Sequence, residues 1–144
     1  MTRPLPFGDA SFDLIFHPVS NCYIRDVLPV WRECYRVLKA GGLLMAGLDN
    51  GLNFLFDEDE SLIVHRLPFD PLSDESQREA LEKGDCGIQF SHGIEEQIGG
   101  QLKAGFRLLD LYEDTNASGF LREHGVPAFW ATLAEKPRRV RQRP

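Results

Sequence analysis

Leu5-Pro6-Phe7-Gly8-Asp9-Ala10-Ser11-Phe12-Asp13-Leu14-Ile15-Phe16, read with Trp31-Arg32-Glu33-Cys34-Tyr35-Arg36-Val37-Leu38-Lys39-Ala40-Gly41-Gly42-Leu43-Leu44, decides the fold. Residues 12–16 are a short aromatic and β-branched run between the turn-forming Gly8-Asp9 and Pro18, which predicts a strand buried on at least one face. From Asp26 onward Val27, Val30, Trp31, Cys34, Val37 and Leu38 recur at helical spacing, with Asp26 as N-cap and Pro29 early enough for a first turn to accept it. Gly41-Gly42 is expected to stop that helix. Residues 43–48 are apolar throughout, as in a central parallel strand covered by helices on both faces. Strand, helix and strand in this order form a βαβ unit with a right-handed crossover.

Working outward, Asp49-Asn50-Gly51 is a turn at the carboxyl end of the second strand. Residues 52–91 are less regular. They offer an acidic patch at 57–60, a possible strand at 62–67, a short helix near 74–83 and a possible strand at 87–90, and are expected to form an insertion covering one end of the sheet. Ile94, Ile98 and Leu102 mark a further helix, capped by Gly105. Within it Gly99-Gly100 would cost roughly 1 kcal/mol each relative to alanine unless close packing compensates. Residues 106–112 and 127–134 predict two late strands, joined by a polar loop and a helical turn around 118–124, that close the sheet as a hairpin-like pair.

The 144 residues, 42% hydrophobic and 26% charged, are the composition of one globular domain. No apolar run approaches the roughly 20 residues of a bilayer span, and the first nine residues lack the layout of a secretion signal, so a cytoplasmic protein with no membrane partner is expected. Net charge is −6, yet Lys136, Arg138, Arg139, Arg141 and Arg143 crowd the last nine residues, leaving 11 basic against 22 acidic residues before them. That acidic body repels a phosphate backbone and disfavours nucleic acid as a partner. Residues 137–144 read as a basic, disordered tail. Cys22, Cys34 and Cys86 are odd in number with no Cys-x-x-Cys spacing, so neither a disulfide framework nor a metal site is expected. Asn116-Ala117-Ser118 matches the glycosylation pattern by chance in a loop.

The two quoted stretches closely resemble the centre of class I S-adenosylmethionine-dependent methyltransferases of the type 11 kind. In that family the first enters the fourth strand of a Rossmann-like sheet, and the second closes the next helix and leads into the fifth strand. Residues 91–101, Ser-His-Gly-Ile-Glu-Glu-Gln-Ile-Gly-Gly-Gln, are similar to the helix before the family's sixth strand. The resemblance implies an α/β fold: a partial Rossmann-like sheet of family strands 4 to 7, mostly parallel with an antiparallel final strand, and an insertion at about 52–91 between the fifth and sixth strands. Residues 1–136 would then be the carboxyl-terminal part of a methyltransferase domain. The family's glycine-rich turn, which approaches the cofactor closely, has no counterpart here: no two glycines are separated by one residue, and Gly41-Gly42 precedes its strand. A chain of this kind is expected to bind S-adenosylmethionine weakly or not at all, and to be inactive alone.

In an open α/β sheet, ligands lie beyond the carboxyl ends of the strands. His17, Pro18 and Asn21 follow one strand there, and Asp49, Asn50 and Asn53 the next. By resemblance the backbone of Phe16, His17 and Pro18 would face the cofactor, and Asn21, Tyr23, Asp49, Asn50 and Asn53 the substrate. His17 could orient substrate or accept its proton near neutral pH, or simply position backbone before a proline. His92 could act as a base at the same rim, but Ser91 and Glu95 beside it favour a helix-start role. Cys22 favours packing, and His65 and His124 have no chemical partner in the sequence. Residues 57–60 place consecutive carboxylates in different directions, as in a solvated loop. His17-Pro18-Val19-Ser20 departs from the Asp/Asn-Pro-Pro-Tyr/Phe signature of amino methyltransferases, which argues against a DNA-base or glutamine amide acceptor, and the resemblance implies a small-molecule one. Methyl transfer is an in-line displacement that needs its two centres aligned and dry, and the 52–91 segment would serve as the lid. A second reading is a non-catalytic association module in which the sheet edge at residues 12–16 pairs with another copy or a partner chain.

Overall fold

A computed structural model describes residues 4–57, 59–84 and 87–138. Glu58, Cys86 and the arginines 139, 141 and 143 of the expected tail lie outside the described residues. Along the chain run β1 (Phe12–His17), α1 (Leu28–Val37), β2 (Leu38–Asp49), α2 (Glu75–Gly84), α3 (Ile94–Ala104), β3 (Arg107–Asp114), α4 (Phe120–Glu123) and β4 (Phe129–Glu135). The strands form one sheet in the order β1-β2-β4-β3. β1 and β2 are parallel, while β4 runs antiparallel to both of its neighbours. The sheet is therefore mixed with a single reversed strand, the last, as expected from the sequence.

α1 and α3 pack on one face of this sheet. Val30, Trp31, Cys34 and Ile98 from the helices meet Leu44, Ala46, Leu48 and Ala134 from the strands in one buried cluster. Pro29 lies in the first turn of α1, where its missing N–H costs nothing. Asp26 stands just outside that turn and Val27 takes the cap position, with Asp26 Oδ1 accepting the Leu28 N–H at 3.1 Å. At the other end, Lys136 Nζ donates to Tyr35 O and Leu38 O, both at 2.7 Å, and places its positive charge on the negative end of the helix dipole.

Several expectations are corrected here. α1 ends at Val37, before Gly41-Gly42, and those glycines lie inside β2. They serve an irregularity where Phe12 pairs with Leu38 but Leu14 with Leu43, and Gly41 adopts φ +86°. Residues 62–67 form no strand; they make one isolated bridge, Phe56 with Ile63, because their backbone N–H groups find loop partners instead, as Val64 does at Leu55 O. Residues 87–90 also form no strand: Phe90 N–H goes to Cys22 O. On α3 only Ile98 of the expected apolar stripe is buried. Ile94 and Leu102 are exposed, and Gln97, Gly100 and Gln101 form the rest of the inner face.

β2 is covered by helices on one face only among the described residues. Met45 on its other face is exposed, and on edge strand β1 Leu14 and Phe16 are 52% and 69% exposed. Since side chains alternate along a strand, Phe16 points to this bare face while His17 points toward Trp31, its ring 5.6 Å from the indole. No helix among the described residues is long and apolar enough to cross a membrane.

Candidate functional site

The carboxyl ends of β1 and β2 lie side by side, and the turns that leave them converge with the start of α3. At the centre is a chain of buried polar groups. His17 Nε2 is 2.8 Å from Asn21 Oδ1, Asn21 Nδ2 donates to Gln97 Oε1 at 2.7 Å, and Gln97 Nε2 donates to Asp49 O at 3.2 Å. Asn21 is 2% and Gln97 1% exposed, so these bonds replace water that cannot reach them. Burial lowers the pKa of His17, an effect larger than the opposing one of its Asn21 hydrogen bond, and favours the neutral ring.

Asp49, Asn50 and Asn53 build the turn after β2. Asp49 Oδ1 accepts the Gly51 N–H at 2.6 Å and its Oδ2 accepts Asn53 Nδ2 at 3.2 Å. Asn50 Oδ1 accepts the Leu52 N–H, and its Nδ2 donates to Pro127 O, tying the turn to the start of β4. Gly51 supports the turn at φ +91°. Burial raises the pKa of Asp49, against the hydrogen bonds from Gly51 and Asn53 and the field of His92. Burial and the nearby Asp49 likewise push the Cys22 thiol up, which makes it a poor nucleophile.

His92 is buried, and its Nε2 lies 2.8 Å from Ile24 O and 3.2 Å from Asn21 O. Carbonyls only accept, so Nε2 carries the proton and straps the 21–24 turn to the approach of α3. Ser91 beside it accepts the Phe69 N–H, and the cap of α3 is completed by Glu96, whose Oε2 accepts the Gly93 N–H, with Glu95 exposed. Asn50, Leu67, Pro68, Ser91, His92 and Glu96 line an open cavity of about 450 Å³. A separate groove of about 300 Å³ lies on the bare face of the sheet, lined by Phe16, Pro18, Val19, Met45, Gly47 and Tyr112.

The structure thus brings His17, Asn21, Asp49, Asn53 and His92 into one hydrogen-bonded rim, with Asn50 at the mouth of its cavity. Phe16 and Pro18 border the other groove, and Tyr23 is exposed. Gln97 is a member of the rim that the sequence reading passed over. A glutamine on the apolar side of a helix was the available signal. His65 and His124 do have partners: His65 packs edge-on against Phe69, and His124 stacks on Phe120 with Nδ1 2.9 Å from Phe120 O. In the acidic patch Asp57 accepts the N–H groups of Ser61 and Leu62, and Glu60 caps α4 through the Leu121 N–H.

For S-adenosylmethionine this rim offers part of a site. The backbone at the end of β1 is accessible beside Phe16 and Pro18, but the buried side-chain polar atoms of the described residues are already satisfied within the chain. With no Gly-x-Gly turn to admit the cofactor backbone-close, these residues form a wall and not a cradle.

A family model described as a methyltransferase domain matches residues 1–46. The chain is 39% identical over 138 residues to an uncharacterized methyltransferase, YbaJ, of Bacillus subtilis, with 90% of this chain and 53% of that protein covered. Among solved structures, an S-adenosylmethionine-dependent methyltransferase of Mesorhizobium loti superposes with a TM-score of 0.67 at 15% identity, covering 93% of this chain and 65% of that one. One described as a putative S-adenosylmethionine-dependent methyltransferase from Listeria monocytogenes does so at 0.61 and 16%, covering 90% and 63%. The chain spans about half the length of the Bacillus relative. It has a class I methyltransferase-like α/β fold, and its first 46 residues match the methyltransferase-domain model.

Proposed function

We propose that this chain takes part in S-adenosylmethionine-dependent methyl transfer to a small-molecule acceptor, and that it supplies the acceptor side of the site. The observation that carries the reading is the polar rim at the carboxyl ends of β1 and β2, built on the sequence motifs that resemble the family. When bound, the cofactor supplies an electrophilic methyl group. The chain's own residues hold the other reactant. The backbone of Phe16, His17 and Pro18 borders the cofactor, Tyr23, Asp49, Asn50 and Asn53 orient the acceptor, and His17, held from behind by the buried Asn21, accepts its proton. His92 holds the 21–24 turn against the rim and is the second candidate for proton transfer. The segment 52–91 excludes water. The same reading keeps the chain in the cytoplasm, away from nucleic acid and membrane.

The chain alone binds the cofactor weakly or not at all in this reading, since the wall it provides lacks a cradle. Calorimetric titration with S-adenosylmethionine tests this on two proteins: the chain itself, and a fusion to the part of the Bacillus subtilis relative that it does not match. Binding by the fusion and none by the chain is the expected pair of results. Micromolar binding by the chain alone overturns the assignment of the cradle to other residues, and failure of both overturns the methyltransferase reading.

A second reading is favoured by the bare edge at β1. There Leu14 and Phe16 stand exposed beside unpaired backbone, an adhesive surface suited to a second copy of the chain. A monodisperse monomer in light scattering at high concentration removes it.

A further inference from the structure

The direction of each hydrogen bond in the relay from His17 through Asn21 and Gln97 to Asp49 O can be derived from one fixed end. Asp49 O is a carbonyl and only accepts, so the Gln97 atom facing it must be the amide nitrogen. Gln97 Oε1 then accepts, which turns the Asn21 amide nitrogen toward it. Asn21 Oδ1 is left facing His17, and an oxygen of this kind cannot donate. His17 Nε2 must therefore carry the proton. In the neutral ring Nδ1 is then unprotonated, and among the described residues no hydrogen bond reaches it.

We propose that Gln97 and Asn21 are positioning residues that fix His17 as the Nε2–H tautomer and so keep Nδ1 as the ring's proton acceptor. The proposal deepens the methyl-transfer reading, and rests on it only for what Nδ1 would receive: one proton from the acceptor's nucleophile as the methyl bond forms. Ser20 Oγ, 3.4 Å from the same Nε2, is too far to compete well with Asn21. The groups around the ring are mostly uncharged: Ser20 and Asn21 on its own turn, Trp31 from α1 and Gln97 from α3 behind Asn21. The titratable groups on its own and the packed elements are Asp13 on β1, Cys22 and Tyr23 on that turn, Lys39 and Asp49 on β2, His92 before α3 and Glu95, Glu96 and Lys103 on it, and Arg32, Glu33, Cys34, Tyr35 and Arg36 on α1. None of these replaces Asn21 as the partner of Nε2. Burial of the ring agrees with a neutral histidine at working pH.

The test needs no cofactor. Two-bond nitrogen–proton NMR correlations on the full chain with labelled histidine distinguish protonated from unprotonated ring nitrogens, and loss of one set in His17→Gln assigns it. The expected result is a protonated Nε2 and a free Nδ1. Gln97→Met, close in shape but unable to hold Asn21, should give a mixture of both tautomers and a shifted His17 titration midpoint. Gln101→Met is the control: Gln101 is equally buried one turn on and bonded to Thr132, so its loss should lower stability and leave the His17 tautomer alone. A wild-type ring protonated on Nδ1, or a folded Gln97→Met with an unchanged ring, overturns the proposal. If Gln97→Met does not fold, the wild-type spectrum and Asn21→Asp decide. A carboxylate at 21 should raise the titration midpoint, and a midpoint that does not move overturns the proposal. The tautomer can fail while cofactor binding by the fusion succeeds, and the reverse, so the two readings fall separately.

Discussion

Gly100 of α3 lies directly under the Trp31 indole of α1: a Cβ there would stand 2.5 Å from Trp31 Cδ1, while Trp31 Nε1 donates to Glu96 O one turn earlier at 2.9 Å. The helices thus approach through a missing side chain, and the adjacent Gly99 has no such neighbour, its nearest contact being Ile94 O at 3.8 Å. The two glycines should therefore respond in opposite directions. Gly100→Ala must displace a fully buried indole and should cost about 1–3 kcal/mol. Gly99→Ala should gain up to about 1 kcal/mol from helix propensity. Urea denaturation of the two variants checks the pair, and equal effects would show that the helix contact does not depend on Gly100.

Lys136 joins the end of β4 to the end of α1. Lys136→Met removes its bonds to Tyr35 O and Leu38 O and the charge on the helix dipole. A loss of about 1–2 kcal/mol is expected, with the denaturation midpoint as the readout. An unchanged midpoint would mean that water serves those carbonyls equally well.

Glu33 ties the incoming chain to α1 by accepting from Arg36 and from the Leu5 N–H. Arg36 first, and the Leu5 N–H second, hold its carboxyl down at about 2. A depressed acid adds stability that is complete above its unfolded value of about 4.3 and disappears as pH falls toward the folded one. Thermal melting should show wild type losing more stability than Glu33→Gln between pH of about 4.3 and 2, while at neutral pH the variant is weaker by about 1–2 kcal/mol. Parallel curves would place the bond's worth elsewhere.

His17 contributes a second acid-sensitive window. Its folded pKa lies below the unfolded value of about 6.5, so the unfolded chain takes up the proton first. Stability is full above that value and is lost as pH falls through the folded one. Chemical denaturation of His17→Gln against wild type should therefore give a shallower pH slope just below about 6.5. A slope that is unchanged contradicts the burial of the ring.

At the bare edge, Phe16→Lys should leave stability within about 0.5 kcal/mol, since Phe16 packs little within the chain. Association seen by light scattering in wild type should disappear in the variant. Persistence of the same oligomer would move the contact away from β1.

Both strands of the βαβ unit and the antiparallel close of the sheet were legible in the sequence. Their signals are local: apolar runs of strand length, a helical repeat with Pro29 at its start, and Gly105 at the end of α3. Residues 62–67 and 87–90 misled because their apolar character resembles a strand's. Their backbone partners are distant loops, such as Cys22 O for Phe90 N, and no local pattern encodes those. The candidate rim was half legible. His17, Asn21 and Asp49 follow from their place after strands, but Gln97 stands 76 residues from its partner Asn21.

The sequence by itself determined the four strands of the sheet, the helices α1 and α3 between them and their order along the chain, because periodicity and turn chemistry act over a few residues. Tertiary structure alone decided which face of α3 turns inward, since Gln97 and Gln101 are drawn in by Asn21, Asp49 O and Thr132 against the apolar stripe the sequence suggests. It also decided which nitrogen of His17 holds the proton. A hydrogen bond's direction is set by the group at the far end of the chain of bonds, and only folding brings that group within reach.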